Sequence, residues 1–172
     1  MRSVGMQGDY LMIEKRTECY TATALQLDCY AINSCKDRDS ASKMMLNRIK
    51  VIGDIALNVD LFTQGFNGTK TRLFVLPEYF LSSFPLGESI TEWKTIGAID
   101  EDGPEYEALG RIAQNRSCYL SGNVYETDKN FKELYFQTSF VIGPNGDVIL
   151  RYRRLISLFA PSPYDVLEKY ID

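Results

Sequence analysis

"RLFVLPEYFLSSFPLG", Arg72 to Gly87, is the stretch on which the fold turns. Its first part, Arg72 to Pro77, is a short continuous apolar run. Strands of a parallel sheet take this form when both of their faces are covered. The run ends on Glu78, the one carboxylate between Arg72 and Gly87. Upstream, "CYTATALQLDCYAI", Cys19 to Ile32, is rich in β-branched, aromatic and apolar residues and reads as a buried strand. "NSCKDRDS" breaks that pattern, and Asp39 or Ser40 is placed to cap a helix. Met45, Ile49, Ile52, Ala56 and Val59 then recur at spacings of four and three, the apolar stripe of an amphipathic helix on a sheet. The glycines of "TQGFNGTK" stop it. Strand, helix and strand make a βαβ unit, whose crossover is right-handed.

Downstream of Gly87 the chain reads as a looser segment in which Trp93 and Ile96 are packing residues. "DGPEYEALGRIAQNRS" carries a helix start: Gly103 and Pro104 lead, with Glu105 and Glu107 in the first turn. Tyr106, Leu109, Ile112 and Ala113 form its apolar stripe, and Arg116 stands near its end. "CYLSGNVYE" is a third strand. "LYFQTSFVIGPNGDVILRYRR" places Asn145-Gly146 between two strand patterns, a strong hairpin signal. The sheet is therefore mixed, which argues against an all-parallel flavodoxin-like binding module. Ser162-Pro163 can open a last helix. With no internal repeat, low-complexity tract or linker, the chain reads as a single domain.

A chain of 172 residues is long enough to bury a sizeable core. A formal net charge of -4, with both signs interspersed, points away from nucleic acid. No apolar run approaches membrane length. Residues 1–18 lack the apolar core of a secretory signal and read as a poorly ordered leader. Cys19, Cys29, Cys35 and Cys118 lack metal-finger spacing and read as reduced thiols of a cytoplasmic protein. The chain contains no histidine, which removes Ser-His-Asp and Cys-His catalysis and most zinc chemistry. G-x-G-x-x-G, P-loop, G-x-S-x-G and acidic metal-loop patterns are absent.

Glu78 stands where α/β sheets place their ligands, beyond the carboxyl end of a strand. Hemmed by Pro77, Tyr79, Phe80 and Phe84, it would be partly desolvated and a better base when ionised. The same position also suits a strand-end carboxylate that faces water or caps a turn. In "LRYRRL", Arg151 and Arg153 point one way and Tyr152 and Arg154 the other. Leu150 shares the face of Arg154, which suggests that this is the covered side. A buried guanidinium there needs an acceptor, with Glu78 as one candidate. A solvated basic strand end is the alternative.

Taken in order, "VLPEYF", "DEDGPEYEALGRIAQNRSCYLSGNVYE" and "FVIGPNGDVILRYRRL" resemble successive blocks of the nitrilase superfamily of carbon–nitrogen hydrolases. The resemblance runs from about Tyr20 to the end. It implies an α/β fold, an αββα-sandwich with a mixed sheet, of which this chain would be a C-terminally truncated part. Residues 19–172 are then a partial carbon–nitrogen hydrolase domain. The resemblance also implies a Glu-Lys-Cys site that hydrolyses a small-molecule nitrile or amide through a covalent thioimidate or acyl-enzyme. It implies no metal or organic cofactor and a homo-oligomer, while charge and hydropathy already point away from a nucleic-acid or membrane partner. Glu78 matches the catalytic glutamate.

Two departures stand out. Where the family has Tyr-Arg-Lys, this chain reads Tyr152-Arg153-Arg154, so Arg154 takes the place of the lysine. Arginine keeps the charge and can donate to an oxyanion, but its planar fork is larger and gives up no proton. None of the four cysteines matches the nucleophile, whose block lies later than Asp172. The expectation is a parent hydrolase of which residues 1–172 alone are inactive. A non-catalytic relative that binds a small ligand or serves as an assembly subunit is the alternative.

Overall fold

The computed structural model describes residues 20–155 and residue 161. In chain order its elements are β1 (Thr21–Ala24), α1 (Arg38–Asn67), β2 (Thr71–Val75), α2 (Ile90–Gly97), β3 (Ala98–Ile99), α3 (Pro104–Arg116), β4 (Tyr119–Thr127), β5 (Tyr135–Ile142) and β6 (Val148–Arg153). They build one six-stranded sheet in the order β1-β2-β4-β5-β6, with β3 paired to β4 beside that path. β1, β2 and β4 run parallel, as do β3 and β4, while β4-β5 and β5-β6 are antiparallel. The mixed α/β sheet expected from the sequence is therefore present. The leader, Cys19 and the helix start at Ser162-Pro163 lie outside the described residues.

α1 buries Met45, Ile49, Ile52 and Ala56, with Val59 packed at the edge of that cluster. Its cap is neither Asp39 nor Ser40. Asp37 holds an extended backbone and accepts from the Ser40 amide at 2.8 Å, satisfying one of the free N–H groups of the first turn. Gly68, at φ 70°, closes the helix in the left-handed conformation. α3 starts on Gly103 and Pro104 and buries Tyr106, Leu109, Ile112 and Ala113 as its pattern requires.

Three expectations need correction. The first strand is only four residues long, Thr21–Ala24, and not the whole of Cys19 to Ile32. Beyond Leu25 the chain leaves the ladder and is held by side chains. Leu25 and Ile32 drop into the core, and Arg48 donates to the Asp28 carbonyl at 2.9 Å and its carboxylate at 2.6 Å. Second, the segment around Trp93 is a helix, α2, opened by a capping box in which Ser89 and Glu92 satisfy each other's amides. Trp93 and Ile96 are buried on it, as expected. Third, β2 is covered on one face only: Phe74 is fully buried while Val75, on the other face, is exposed.

That one-sidedness extends over part of the sheet, while Tyr125, Tyr135 and Gln137 on the same face as Val75 are buried toward the far end of β4 and the start of β5. Phe74, Leu120, Val124, Phe140 and Ile142 face the layer of α1 and α3 and form the core. The opposite face presents Leu73, Val75, Tyr119, Ser121 and Val141, which with Tyr20, Arg72 and Ile149 line an open, mostly apolar hollow of about 520 Å³. The described residues thus supply one helical and one sheet layer of the sandwich. No helix among them is long and apolar enough to cross a membrane.

Candidate active site

Glu78 lies in the turn that follows β2, three residues past Val75. The turn is tight because Tyr79, next in the chain, adopts φ 62°. A bulky residue rarely occupies the left-handed region, and such conformations persist only where the surroundings hold them. Here the Tyr79 carbonyl accepts from the Tyr30 amide at 3.3 Å and its ring packs on Phe84, centroids 5.1 Å apart. One residue on, Arg48 donates to the Phe80 carbonyl at 3.3 Å, and the Phe80 ring is fully buried. The aromatic residues therefore anchor the turn but do not enclose the carboxylate. Glu78 is exposed, contrary to the desolvation expected of it, because Phe80 points into the core and Tyr79 packs on Phe84.

The strand-parity argument separates Arg151 and Arg153 from Arg154, and the structure follows it with the covered face reversed. Pairing of Thr138 with Arg153 and of Phe140 with Arg151 puts these two guanidiniums on the helix side. There they converge on the fully buried Glu126, at 3.1 Å from Arg151 and 2.8 Å from Arg153. The Tyr106 hydroxyl donates to the same carboxylate at 2.8 Å. Leu150 and Tyr152 lie on the open face, 51% and 60% exposed, and Arg154 is exposed with them. Their apolar character reflects that uncovered face and not the α1–α3 core.

Glu78 and Arg154 do come together, but not as an ion pair. Gln137 stands between them. Its Oε1 accepts from Arg154 Nη1 at 2.7 Å, and its Nε2 donates to Glu78 Oε1. The same Nε2 donates to Asn123 Oδ1 at 3.1 Å, and Asn123 in turn donates to Ser139 Oγ at 3.1 Å. Asn123, Gln137 and Ser139 share the open face of β4 and β5, as Ser139 pairs with Asn123 and Gln137 with Tyr125. Sequence reasoning missed these three residues. A readable signal existed: Gln137 interrupts the apolar run "LYFQTSF", and hairpin pairing brings it opposite Arg154.

Two phenols adjoin the cluster. Burial and the negative charge of Glu78 beside it push the Tyr79 hydroxyl above its ordinary range. Tyr125 is raised further, first by burial and then by Tyr79, Tyr135 and Glu78 around it. The buried hydroxyls of Tyr125 and Tyr135 have no hydrogen-bond partner among the described residues. The described cysteines sit elsewhere in the bonding pattern. Cys29 is exposed, Cys35 donates to Met44 Sδ at 3.3 Å, and burial pushes the Cys118 thiol up to about 11. Among the described residues no cysteine hydrogen-bonds to Glu78, Gln137 or Arg154, and no group of acidic or sulfur side chains is arranged to hold a metal ion. The arrangement offers an exposed carboxylate base and a cation on one side of a polar floor, facing the uncovered side of the sheet.

Solved structures share this architecture. An N-terminal amidase matches with a TM-score of 0.57 at 18% identity, over 79% of this chain and 28% of that one. The same protein holding an Asn-Glu peptide gives 0.58 at 17% identity, over 80% and 28%. Nit3 of Saccharomyces cerevisiae, described as a member of branch 10 of the nitrilase superfamily, gives 0.50 at 19% identity, over 66% and 40%. The chain therefore spans well under half the length of the structures it matches. The family model for carbon–nitrogen hydrolases matches residues 50–171, most of the chain, and on that match the chain belongs to the carbon–nitrogen hydrolase family of the nitrilase superfamily.

Proposed function

We propose that this chain supplies the base and the cation of a site that hydrolyses the carbon–nitrogen bond of an amide or nitrile. The observation that carries this reading is the chain of contacts Glu78–Gln137–Arg154 on the open face of the sheet. In the reaction Glu78 takes the proton of a nucleophilic cysteine thiol, a group that Cys29, Cys35 and Cys118 do not supply at this site. The sulfur bonds to the substrate carbon as the carbonyl π electrons of an amide move onto oxygen, or the carbon–nitrogen π electrons of a nitrile move onto nitrogen, where Arg154 donates to the developing charge. From an amide, the Glu78 proton passes to nitrogen and ammonia leaves. From a nitrile, that proton completes a thioimidate, to which one water adds before ammonia leaves. In both cases a water then cleaves the acyl–sulfur bond to give the acid and restore the thiol. Carboxamides, including peptides that begin with Asn or Gln like those bound to the N-terminal amidase, are the first substrates to try. No cofactor is needed for these steps.

Ammonia release by the complete protein tests the reading. Glu78→Gln should abolish release without unfolding the protein, and residues 1–172 alone should release none. Full activity in the Glu78→Gln variant would sink the assignment. Arg154 at the lysine position favours one alternative, a non-catalytic relative that binds a small ligand or joins an assembly as a subunit. In that case the complete protein releases no ammonia, yet a carboxamide still protects it against thermal unfolding.

A further inference from the structure

We infer that Gln137 is a positioning residue that fixes Glu78 and Arg154 at one amide's separation, a role that rests on the hydrolytic reading above. Its backbone is held from both sides: Gln137 pairs with Tyr125 across β4, and its carbonyl accepts from the Arg154 amide at 2.9 Å. The residue is 5% exposed, so its amide has little water to fall back on and depends on its protein partners. Those partners allow one orientation. The amide oxygen meets a guanidinium, and the amide nitrogen meets a carboxylate oxygen and a carbonyl oxygen. Turned over, it would set oxygen against two acceptors and N–H against a cation, losing all three bonds.

The chemical consequence is separation. A guanidinium and a carboxylate in direct contact form a bidentate pair in which each occupies the other. An intervening amide satisfies one oxygen of Glu78 and one amino group of Arg154. It leaves the second carboxylate oxygen for a proton and the rest of the guanidinium fork for a developing negative charge. The spacer also answers the size of arginine, whose planar fork is larger than the ammonium it stands in for. Gln137 touches neither the reacting atoms nor the substrate in this scheme. It acts through the two groups it holds.

Two measurements test this. In 15N-labelled protein of residues 1–172, the Gln137 side-chain amide protons should be protected from solvent exchange. Their resonances should move, and their protection fall, in Glu78→Gln and again in Arg154→Lys. Both substitutions fall on exposed side chains and leave the fold intact. Indifference of the Gln137 amide to both changes overturns the inference, whether or not the complete protein hydrolyses amides. In the complete protein, Gln137→Met should lower kcat about ten- to a hundred-fold with KM little changed, the range expected for losing hydrogen bonds to charged groups. Unaltered kcat in a folded Gln137→Met variant likewise overturns it. An amide that responds as expected in a protein that hydrolyses nothing leaves the wiring in place and removes the hydrolytic reading instead.

Discussion

The two faces of the sheet are built from the same strands by the alternation of their side chains, yet they handle charge in opposite ways. On the helix-covered face, Glu126 is fully buried, and Arg151, Arg153 and Tyr106 all donate to it. Arg153 is shared further with Asp128 and Glu101. Burial works against the Asp128 charge, but the hydrogen bond and charge of Arg153 together with the Asn130 and Phe131 amides outweigh it and hold that carboxyl below its usual range. On the open face, Glu78 is exposed and separated from Arg154 by an amide. One short run, Arg151 to Arg154, feeds both sides. The same residue type thus consolidates structure where its charge is matched and surrounded, and is left available where a spacer holds the charges apart.

The sharpest way to break this comparison is to neutralise one carboxylate on each face. Glu126→Gln keeps the shape but leaves two guanidiniums facing an amide in a buried site. Breaking a buried pair in this way costs about 3 kcal/mol. Glu78→Gln removes an exposed charge that no ion pair engages, and its effect should stay within about 0.5 kcal/mol. Urea midpoints at constant m-value measure both. Equal losses from the two substitutions would show that the open-face cluster is structural after all.

A second test uses alkali. Tyr106, Tyr125 and Tyr135 are buried, and burial raises all three phenols, Tyr135 to about 12 and the other two further. The unfolded chain titrates its tyrosines near 10. A raised folded value means that the unfolded state loses protons first, so the stabilisation is complete below pH 10 and is lost as pH rises beyond it. Between pH 9 and 10.5 these three groups should together cost about 2 kcal/mol. Tyr106→Phe, on the covered face, should remove about a third of that slope. A flat stability profile across this window would mean that the phenols are more accessible than their packing indicates.

A smaller effect of opposite sign is expected at Tyr125. Its buried hydroxyl has no partner among the described residues, and an unpaired buried polar group is destabilising. Tyr125→Phe should therefore stabilise the chain by about 1 kcal/mol in thermal unfolding. Loss of stability would show instead that the hydroxyl is bonded beside the Glu78 cluster.

What could be read from the sequence was local. The stripe of α1, the Gly103-Pro104 start of α3 and the Asn145-Gly146 hairpin each carry their cause within a few residues. The parity of Arg151 to Arg154 was also readable. Which face was covered was not, because Leu150 and Tyr152 suggest a buried side when they lie on an open one. β1 was read too long because residues 25–32 are apolar for a different reason: Leu25 and Ile32 anchor a loop to the core. α2 carried its box at Ser89 and Glu92, but eight residues hold too few apolar positions to display a helical period. The site divides in the same way. The sequence blocks point to Glu78 and Arg154, while Gln137 bonds to positions 59 and 17 residues away, a contact that exists only once the sheet brings them together.

The open face itself gives the smallest expected effect on stability and the most informative one on association. Ile149 is 59% exposed and Leu150 51%, beside the hollow lined by Val75, Tyr119 and Val141. Replacing Ile149 by Thr removes little buried area, so the unfolding free energy should change by no more than about 0.5 kcal/mol. An uncovered apolar surface of this kind drives self-association in water. Sedimentation of residues 1–172 should therefore show a concentration-dependent rise in mass that Ile149→Thr with Val75→Thr weakens. On the covered face the same kind of change has the reverse profile: Ile52→Thr, at a fully buried position, should cost stability and leave association unchanged. If Ile149→Thr instead lowers stability by the amount that Ile52→Thr does, the open face is already covered within the chain. The contrast between the two faces then fails at its root, because both would be core.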